Sequence, residues 1–496
     1  MVSRRGFLTG LALVPAAYAA GCSIRPSPAG SAADSPRALP IPPQAPSTVG
    51  PDGVRRFALR AQSGTTEMIR GKQTPTWGYS GSVLGPTVRA RRGEQVAFTI
   101  TNDLSEPTSV HWHGMHLPAK FDGGPHQMIA PGAVWAPHWT IAQQAATLWY
   151  HPHPHGATEK HVHRGLSGLF LIDDDASDAL DLPKEYGVDD IPLVIQDRRF
   201  TDDGTLDDSD ATDVGLLGDT IVTNGIANAH LTVTTERVRL RILNGSSGRL
   251  YNLSFNEGRK FQLIATDGGL LPEPVTLERI QLSPGERAEL VVTLGAGENV
   301  TLRSLPITER AGIDRAAEFG FDDTFTILTL RAASGLRPSA ALPATLIPMR
   351  ALASPTTAPT RSFDLQWFMI NNRRMDMNRI DMTVPVDTTE VWTVRNKDNW
   401  PHNFHVHDVQ FQILAVDGTP PPPDLSGWKD TVYTTPDTTY TLAMHFADHT
   451  DPTYPYMYHC HLLHHEDQGM MGQFLVLAPG QQAAPMQMDM GSMSHG

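Results

Sequence analysis

The feature that most limits how this chain can fold is a recurring short run in which apolar and polar residues alternate. Three such runs, at residues 95–102, 237–244 and 390–396, are separated by about 140 to 155 residues, and Gly, Pro, Asn and Asp interrupt the sequence around them. Alternation with a period of two is typical of antiparallel strands. Its recurrence at this interval predicts three related β-sandwiches, and no long helical periodicity competes with this interpretation.

The length of the chain agrees with that organisation, since 496 residues correspond to roughly three domains. Composition places the boundaries: residues 173–175 are acidic and close the first unit, and a stretch rich in Ala, Pro, Ser and Thr separates the second from the third. The predicted segments are domain 1 at 51–178, domain 2 at 185–332, a linker at 333–360, domain 3 at 361–480 and a Met-rich tail at 481–496.

The first 22 residues are predicted to be an export signal. Arg4 and Arg5 precede an apolar run at 7–20 that is too short to span a bilayer comfortably, and the local sequence resembles a twin-arginine signal. Cys22 closes a sequence that resembles a lipoprotein cleavage site, so it is a candidate lipid anchor; the alternative is ordinary cleavage after Ala19. Residues 23–50 are predicted to be a flexible tether. We therefore expect an extracytoplasmic protein of the periplasm or cell envelope.

The charge and the cysteine content of the chain limit which partners it can bind and how its fold can be stabilised. The net charge of -14 argues against a nucleic-acid partner, because a phosphate backbone repels an acidic surface. The only cysteines are Cys22 and Cys460, so an exported chain of this composition is stabilised without disulfides. We expect a monomer.

Histidines occur far more often in His-x-His pairs than their number explains. The 21 histidines give about one such pair by chance, whereas six pairs begin at His111, His151, His153, His161, His405 and His459. Residues i and i+2 of a strand point to the same face, so one pair can direct two imidazoles to one site. This arrangement predicts a metal centre in the first and third domains, since the middle domain contains only His230.

The third domain also contains a second type of ligand set. Residues 402–407 (HNFHVH) and 459–465 (HCHLLHH) are followed by Met470. In the second of these segments His459 and His461 face one side of a strand and Cys460 faces the other, so one strand can serve two metal sites. A Cys thiolate, two imidazoles and a weak axial Met form a blue-copper electron-transfer centre. His402, Cys460, His465 and Met470 supply such a set.

At this point the sequence resembles the multicopper oxidases, in particular the three-domain bacterial copper-efflux oxidases and laccases. The similarity covers nearly the whole mature chain. Besides the two segments of the third domain, it includes 111–114 (HWHG) and 149–153 (WYHPH) in the first, and 223–225 (TNG), 266–269 (TDGG) and 283–287 (SPGER) in the middle.

The resemblance implies an all-β fold of three cupredoxin-like Greek-key β-sandwiches that hold four copper ions and no other cofactor. His402, Cys460, His465 and Met470 would bind the type 1 copper, and His111 and His405 the type 2 copper. The two type 3 coppers would be held by six histidines: His113, His151, His153, His407, His459 and His461. The implied reaction passes electrons one at a time from a small reducing substrate, such as cuprous ion or a phenol, through Cys460 to dioxygen, which forms water.

The resemblance also implies roles for three carboxylates. Asp122 and Glu466 stand where relatives place the proton donors for dioxygen reduction, and Asp398 stands near the blue copper, where relatives receive substrate. Without the resemblance, Asp122 and Glu466 would each be interpreted as a turn residue or a solvated charge. His155, His161 and His163 lie close to these segments and are interpreted as histidines of the surface or of the surroundings of the ligands. His464 is excluded because the three-residue spacing after His461 selects His465 as the ligand.

Two departures from the family pattern leave every ligand in place. Relatives commonly have Pro after the first histidine of the 402–407 segment and Gly after the last, whereas this chain has Asn403 and Asp408. The tail is rich in methionines, which are soft ligands suited to Cu(I), although compositional drift explains such a tail equally well. The alternative hypothesis is a non-catalytic copper-binding or envelope scaffold protein on the same fold. The retention of ten histidines, Cys460 and Met470 favours the oxidase.

Overall fold

The computed structural model describes residues 35–209, 211–486 and 492–493. The first third of the chain contains β1 (Arg37–Ala38), β2 (Ser47–Val49), β3 (Arg55–Thr66), β4 (Thr74–Tyr79), β5 (Val88–Arg91), β6 (Gln95–Asn102), β7 (His111–His113), β8 (Ala133–Trp135), β9 (His138–Thr140), β10 (Ala146–His151), α1 (Thr158–Arg164), β11 (Gly168–Asp173) and α2 (Asp175–Asp178). The middle third contains β12 (Asp190–Arg198), β13 (Ala211–Thr212), β14 (Gly215–Leu216), β15 (Thr220–Thr223), β16 (Ile226–Ala227), β17 (Ala229–Thr235), β18 (Arg237–Asn244), β19 (Tyr251–Phe255), β20 (Phe261–Thr266), β21 (Gly269–Leu277), β22 (Arg279–Leu282), β23 (Arg287–Thr293), β24 (Asn299–Leu305) and β25 (Phe325–Arg337).

The last third contains β26 (Arg361–Gln366), β27 (Met369–Ile370), β28 (Met382–Pro385), β29 (Thr388–Asn396), β30 (His402–Val406), β31 (Phe411–Val416), β32 (Trp428–Lys429), β33 (Thr431–Thr434), β34 (Thr439–Phe446), β35 (Tyr456–His459), α3 (Leu463–Asp467), β36 (Met471–Leu477) and β37 (Ser492–Met493). Short 3₁₀ turns lie at Ala119–Phe121, Asn256–Gly258 and Pro423–Leu425.

These strands form three β-sandwiches, each built from two sheets around an apolar core. In the first, β2-β3-β6-β8-β37, with β4 and β9 at its side, faces β5-β11-β10-β7. In the second, β16-β15-β12-β18-β23-β20-β21 faces β1-β17-β25-β24-β19-β22. In the third, β27-β26-β29-β34-β31-β32 faces β28-β36-β35-β30-β33. The predicted all-β fold of three cupredoxin-like Greek-key sandwiches is confirmed.

The three sandwiches repeat one topology. Each contains a parallel pair in one sheet, namely β3 with β6, β12 with β18 and β26 with β29. Each contains a second parallel pair in the facing sheet, namely β5 with β11, β17 with β25 and β28 with β36. The recurring alternating runs of the sequence are therefore the equivalent strands β6, β18 and β29.

Each of these three strands ends in a fully buried asparagine that forms the same turn. The side-chain oxygens of Asn102, Asn244 and Asn396 each accept the backbone N–H two residues further on. Each side-chain Nδ2 donates to two backbone carbonyls. Such an Asx turn satisfies buried backbone groups where the strand stops, which explains why the repeat keeps asparagine at this position.

The segments outside the sandwiches differ from the predicted tether and linker. The prediction of a flexible tether is wrong for its C-terminal part, since β1 extends the middle sandwich beside β17 and β2 pairs with β3. Sheet edges offer free backbone groups even to a Pro-rich extended segment, and Leu39 adds buried apolar surface. Likewise β25 runs to Arg337, and Leu346 packs into the core of the middle sandwich. These parts of the predicted linker therefore belong to the middle sandwich. β37 pairs with β8 of the first sandwich.

The predicted export signal and the lipid-anchor candidate Cys22 lie outside the described residues. Among the residues that the structure describes, no helix has the length and apolar character needed to cross a membrane.

Candidate metal centre

Four of the His-x-His pairs begin on two pairs of neighbouring strands. In the first sandwich β7 and β10 are antiparallel, and His111 lies directly opposite His151. In the third sandwich β30 and β35 are antiparallel, and His405 lies directly opposite His459. Because i and i+2 side chains share a face of a strand, both pairs of strands direct their imidazoles to the same side. The strand pairing thus gathers four histidines at the edge of each sandwich.

The two groups of histidines meet between the first and third sandwiches. The rings of His111 and His407 stack with centroids 3.9 Å apart, and those of His113 and His405 stack at 3.8 Å. All eight side chains are buried. The structure therefore brings together every residue that the sequence predicted for the type 2 and type 3 sites: His111, His113, His151, His153, His405, His407, His459 and His461.

The ring nitrogens in this cluster are arranged for metal ions. Several buried nitrogens have no hydrogen-bond partner within the described part of the chain, namely His111 Nε2, His113 Nδ1, His151 Nε2, His405 Nε2 and both nitrogens of His461. His459 Nε2 lies 3.2 Å from both His153 Nε2 and His407 Nε2. Buried polar atoms of native proteins are otherwise paired, so this cluster fits metal ions bound through imidazole.

The electrostatics of the cluster keep seven of the imidazoles neutral, which is the form that binds metals. Burial, reinforced by the neighbouring rings, lowers the pKa of six of these histidines well below the ordinary value, namely His113, His151, His153, His405, His407 and His461. Burial also lowers the pKa of His459 to about 3.

The second group of ligands surrounds Cys460 in the core of the third sandwich. Cys460 Sγ lies 3.7 Å from His402 Nδ1 and 3.6 Å from His465 Nδ1, and the two Nδ1 atoms are 3.0 Å apart. The backbone of Met470 bonds to that of both Cys460 and His465, and its side chain is fully buried. Two imidazoles, one thiol and a neighbouring thioether form the donor set of a blue-copper site, so these residues fit that metal.

The polypeptide directly connects the two groups of ligands. Cys460 lies between His459 and His461, whose rings belong to the histidine cluster, while its own sulfur faces His402 and His465. β30 makes a second connection, because it contains both His402 and His405. His402 and Cys460 are thus each joined to the cluster through one extended segment, in which residues an odd number apart face opposite sides.

Asp122 and Glu466 both lie immediately behind the histidine cluster and are buried. Asp122 Oδ2 is 2.7 Å from His407 Nδ1, and its backbone carbonyl is 2.9 Å from His111 Nδ1. Glu466 is 3.2 Å from His153 Nδ1 and 3.3 Å from His459 Nδ1. Asp122 therefore contacts the cluster at His407 and His111, whereas Glu466 contacts it at His153 and His459.

The environment of Glu466 favours its protonated form. Burial, together with the nearby carboxylate of Asp467, raises the pKa of Glu466 well above its ordinary value. Against this, the Thr158 hydroxyl donates a hydrogen bond to Glu466 Oε1 at 2.6 Å, which favours the ionised carboxylate. A protonated carboxyl at this position can donate a proton toward the space that the cluster encloses.

Sequence reasoning missed one buried acid that orients two of the histidines. Asp430 Oδ1 lies 3.0 Å from His113 Nε2, and the Asp430 carbonyl lies 2.8 Å from His405 Nδ1. These contacts leave His113 Nδ1 and His405 Nε2 for the metal, as outer partners of metal-bound histidines usually do. Arg287 of the middle sandwich forms two hydrogen bonds to this carboxylate, at 2.7 and 2.6 Å.

The middle sandwich therefore contributes to the cluster although it contains no predicted ligand. Arg287 ends the 283–287 segment that the sequence matched to the family, and that match was the only available signal. Lys429 extends the network by contacting Asp267 and Glu286 at 3.0 Å each. Buried charges are costly unless paired, and here each charge faces an opposite one.

An open cleft lies beside the sulfur site. It has a volume of about 570 Å³, and its lining includes Trp367, Lys397, Asp398 and Pro436. Asp398 lies within 3.2 Å of His402 Nε2 through both carboxylate oxygens. Although burial opposes it, the hydrogen bond to His402 lowers the pKa of Asp398, which is therefore an anion at the base of the cleft. Trp367 is 58 % exposed, so its ring lies open to a molecule in the cleft.

Two histidines that the sequence excluded as ligands have other partners. His161 is bonded to Glu106 at 2.8 Å and to Thr108 at 3.0 Å. His464 Nδ1 lies 3.3 Å from Glu159. Their ring nitrogens are thus directed to side chains outside the two ligand groups.

Comparisons with known proteins agree with this geometry. Three family models described as multicopper oxidase match residues 60–177, 197–303 and 349–480. The chain is 37% identical over 435 residues to the multicopper oxidase mco of Staphylococcus haemolyticus, covering 86% of this chain and 89% of that protein. It is also 37% identical over 454 residues to the cell division protein FtsP of Escherichia coli, covering 90% and 94%.

A solved structure shares the architecture of most of this chain. The crystal structure of a laccase from Pediococcus acidilactici superposes with a TM-score of 0.81 at 34% sequence identity, covering 89% of this chain and 94% of that one.

Proposed function

Because the chain belongs to the multicopper oxidase family, we propose that it is an exported oxidase that couples four one-electron oxidations of a reducing substrate to the reduction of dioxygen to water. The observation that supports this most strongly is the complete ligand set: ten histidines, Cys460 and Met470 lie buried in two connected groups. A chain that had lost copper chemistry would have no reason to keep so many unpaired buried nitrogens.

We assign the ligands as the sequence predicted them. Cys460 with His402, His465 and Met470 holds the type 1 copper. The type 2 copper takes His111 and His405, and the two type 3 coppers take His113, His151, His153, His407, His459 and His461. Bound in this way, copper supplies one-electron redox chemistry at the sulfur site and multi-electron chemistry toward dioxygen at the cluster.

The protein's own residues supply the positioning and the protons. Asp430 and Asp122 orient the imidazoles, and burial of the cluster excludes bulk water, which limits the escape of reactive oxygen species. Glu466 and Asp122 lie where a proton can be passed to a reacting oxygen. Asp398 connects the cleft to His402, so we propose that the donor docks in this cleft.

The residues that line the cleft favour small reducing substrates. Such a substrate would have an aromatic or cationic surface and a group that donates a hydrogen bond. Asp398 can accept a phenolic proton or attract a cuprous ion, and the exposed ring of Trp367 can stack on a phenol. Cuprous ion and phenols are therefore the proposed donors. We further propose export by the twin-arginine-type signal, possession of a lipid anchor at Cys22, and a monomeric state.

The rival function is a copper-binding or envelope scaffold protein without turnover; we keep it because the chain is as similar to a protein named for cell division, FtsP, as it is to a multicopper oxidase. One experiment separates the two. Purified chain is loaded with copper, its copper content is measured, and oxygen uptake is followed with cuprous ion, a phenol, bilirubin and ferrous ion. We expect four coppers per chain and four electrons consumed per dioxygen without accumulation of peroxide. Copper binding without oxygen uptake from any donor would establish the scaffold instead.

Removal of the Met-rich tail is expected to weaken the use of cuprous ion selectively. Truncation after Pro485 removes the methionine thioethers at 486, 488, 490 and 493, which are soft donors suited to Cu(I). The apparent KM for Cu(I) should rise several-fold while phenol oxidation stays unchanged.

The pairing of β37 with β8 requires a matched control for this truncation, because the tail also extends a sheet of the first sandwich. Replacing Met488, Met490 and Met493 by Leu keeps the chain length and removes three of the four thioethers without deleting any backbone. If the triple Leu variant matches the wild type while truncation slows both substrates equally, the tail is structural and the proposal for it fails.

A further inference from the structure

A further group of histidines and carboxylates lies where the first and third sandwiches meet, outside the two ligand groups described above. His116 follows β7 of the first sandwich, and Asp408 follows β30 of the third. Asp448 and His449 lie in the loop that connects β34 to β35. None of these four residues takes part in the copper assignments.

The donor atoms of three of these side chains converge on one point. His116 Nε2 lies 2.8 Å from Asp448 Oδ1, and His449 Nδ1 lies 3.7 Å from the same oxygen. The rings of His116 and His449 stack with centroids 4.6 Å apart, so the two imidazoles lie side by side against one carboxylate. The donor atoms around a tetrahedral zinc ion lie about 3.4 Å apart, since its bonds are about 2.1 Å long. The two observed separations bracket that value.

Asp408 determines which nitrogen of His116 faces this point. The Asp408 backbone carbonyl accepts a hydrogen bond from His116 Nδ1 at 3.2 Å, and Asp408 Oδ1 lies 2.8 Å from the same nitrogen. The Asp408 side chain is buried. A metal-bound histidine usually directs its other ring nitrogen to a carboxylate or a carbonyl in this way. His116 Nε2 is therefore the nitrogen that is available to an ion.

Asp408 is also one of the two positions at which this chain departs from the family pattern, since relatives commonly have glycine there. Its φ of +73° lies in the left-handed region, which favours glycine and which aspartate adopts more readily than most residues. The substitution thus keeps a backbone conformation suited to glycine and adds a carboxylate beside His116.

His449 distinguishes this group from a simple ion pair. Its Nε2 is buried and has no hydrogen-bond partner within the described part of the chain, and its Nδ1 is too far from Asp448 for a hydrogen bond. Burial lowers the pKa of His449, so its ring is neutral and can bind a metal. A protonated His116 between two carboxylates would need no second imidazole. The Asp448 side chain is 60 % exposed, so an ion can enter from solvent.

We propose that His116, Asp448 and His449 bind one divalent transition-metal ion of the zinc or copper(II) type, and that Asp408 positions His116 for it. Two imidazoles and a carboxylate are common donors for such ions, and water completes the coordination on the solvent side. His116 belongs to the first sandwich and the other two ligands to the third. The ion therefore links the two sandwiches that enclose the histidine cluster, and it exchanges with the solution because the site is open.

Binding of the ion releases one proton from His116. Although burial opposes it, Asp408 and Asp448 raise the pKa of His116 to about 10, so at neutral pH the ring carries a proton that the ion displaces. The third group that faces His116 is His449, which is already neutral and releases no proton. The affinity should therefore rise about tenfold between pH 7 and pH 8, as the release of one proton requires.

Titration of the copper-loaded chain with Zn²⁺ tests this site. Loosely bound ions are first removed with a chelator, Zn²⁺ binding is followed by calorimetry at pH 7 and pH 8, and zinc and copper are counted by mass spectrometry. We expect one Zn²⁺ per chain without loss of copper, and a higher melting temperature in the presence of zinc. Asp448→Asn and His449→Ala should each weaken zinc binding by about tenfold or more.

His445→Ala is the matched control for these variants. His445 Nε2 also lies beside a surface aspartate, 3.7 Å from Asp387 Oδ1, and it belongs to none of the proposed sites. This variant should bind zinc as the wild type does.

Two substitutions of Asp408 test its positioning role. Asp408→Gly restores the common family residue and keeps all three proposed ligands, and we expect about tenfold weaker binding with one Zn²⁺ per chain at saturation. Asp408→Asn keeps a side-chain acceptor for the proton on His116 Nδ1, so it should recover part of the affinity. An affinity of Asp408→Gly equal to that of the wild type would refute this role.

The difference between the wild type and His449→Ala counts this site alone, so the result depends neither on oxygen consumption nor on the number of coppers that the chain holds. Equal zinc content and affinity in the wild type, Asp448→Asn and His449→Ala would refute the site. His116 would then be a protonated histidine that joins the two sandwiches by ion pairs only. Zinc uptake matched by an equal loss of copper would also refute it, because the zinc would then occupy copper sites.

Discussion

Replacing Cys460 with serine is expected to abolish both the intense blue absorption and substrate oxidation while the fold is kept. The thiolate is the donor responsible for the colour of a blue-copper site, and a serine hydroxyl does not replace it as a ligand. Serine is nearly isosteric with cysteine, and its hydroxyl can bond to Asn403 Oδ1, which lies 3.5 Å from the present sulfur. The measurements are the visible spectrum, copper content and oxygen uptake of the copper-loaded variant.

The eight-histidine cluster should survive this substitution, because none of its ring nitrogens bonds to the Cys460 side chain among the contacts described above. We therefore expect the variant to keep three of four coppers. Cys22→Ser is the matched control, since Cys22 is the only other cysteine of the chain, and it should leave colour and turnover unchanged. A Cys460→Ser protein that stayed blue or kept wild-type turnover would show that the ligand assignment is wrong.

Asp122→Asn and Glu466→Gln are expected to slow the reduction of dioxygen by about 10²- to 10⁴-fold, the usual contribution of a positioned acid or base. Both carboxylates contact cluster histidines, and within the described part of the chain neither carboxylate forms a hydrogen bond or ion pair with a ligand of the sulfur site. Reduction of the blue copper by the donor should therefore keep its rate. Stopped-flow experiments measure the two half-reactions separately, by bleaching of the blue band without oxygen and by its return with oxygen.

Glu106→Gln is the matched control for these variants. Glu106 also contacts a histidine, His161, at 2.8 Å, but that histidine is no proposed ligand. The control should leave both half-reactions unchanged. If Glu466→Gln or Asp122→Asn slowed both half-reactions equally, or neither, these carboxylates would be structural and the proton source would lie elsewhere.

The sequence by itself determined the class of fold and predicted which residues are the proposed ligands. Alternation in the runs that became β6, β18 and β29 is a local property of each strand, and it predicted the sandwiches. The separation of Cys460 from its neighbours His459 and His461 is also local, because successive residues of an extended chain face opposite sides. His-x-His spacing therefore predicted shared metal sites before any contact between domains was known.

Only the tertiary structure decided which nitrogen of each ring faces the centre and what holds the ring there. Arg287 and Asp430 lie 143 residues apart in the sequence, and Asn403 and Ser283 lie 120 apart. No local pattern links such residues, since their contact depends on how the middle sandwich packs against the other two. The same holds for residues 37–49, whose Pro-rich composition predicted a tether: free backbone groups at two sheet edges, created by distant strands, gave this segment its ordered position.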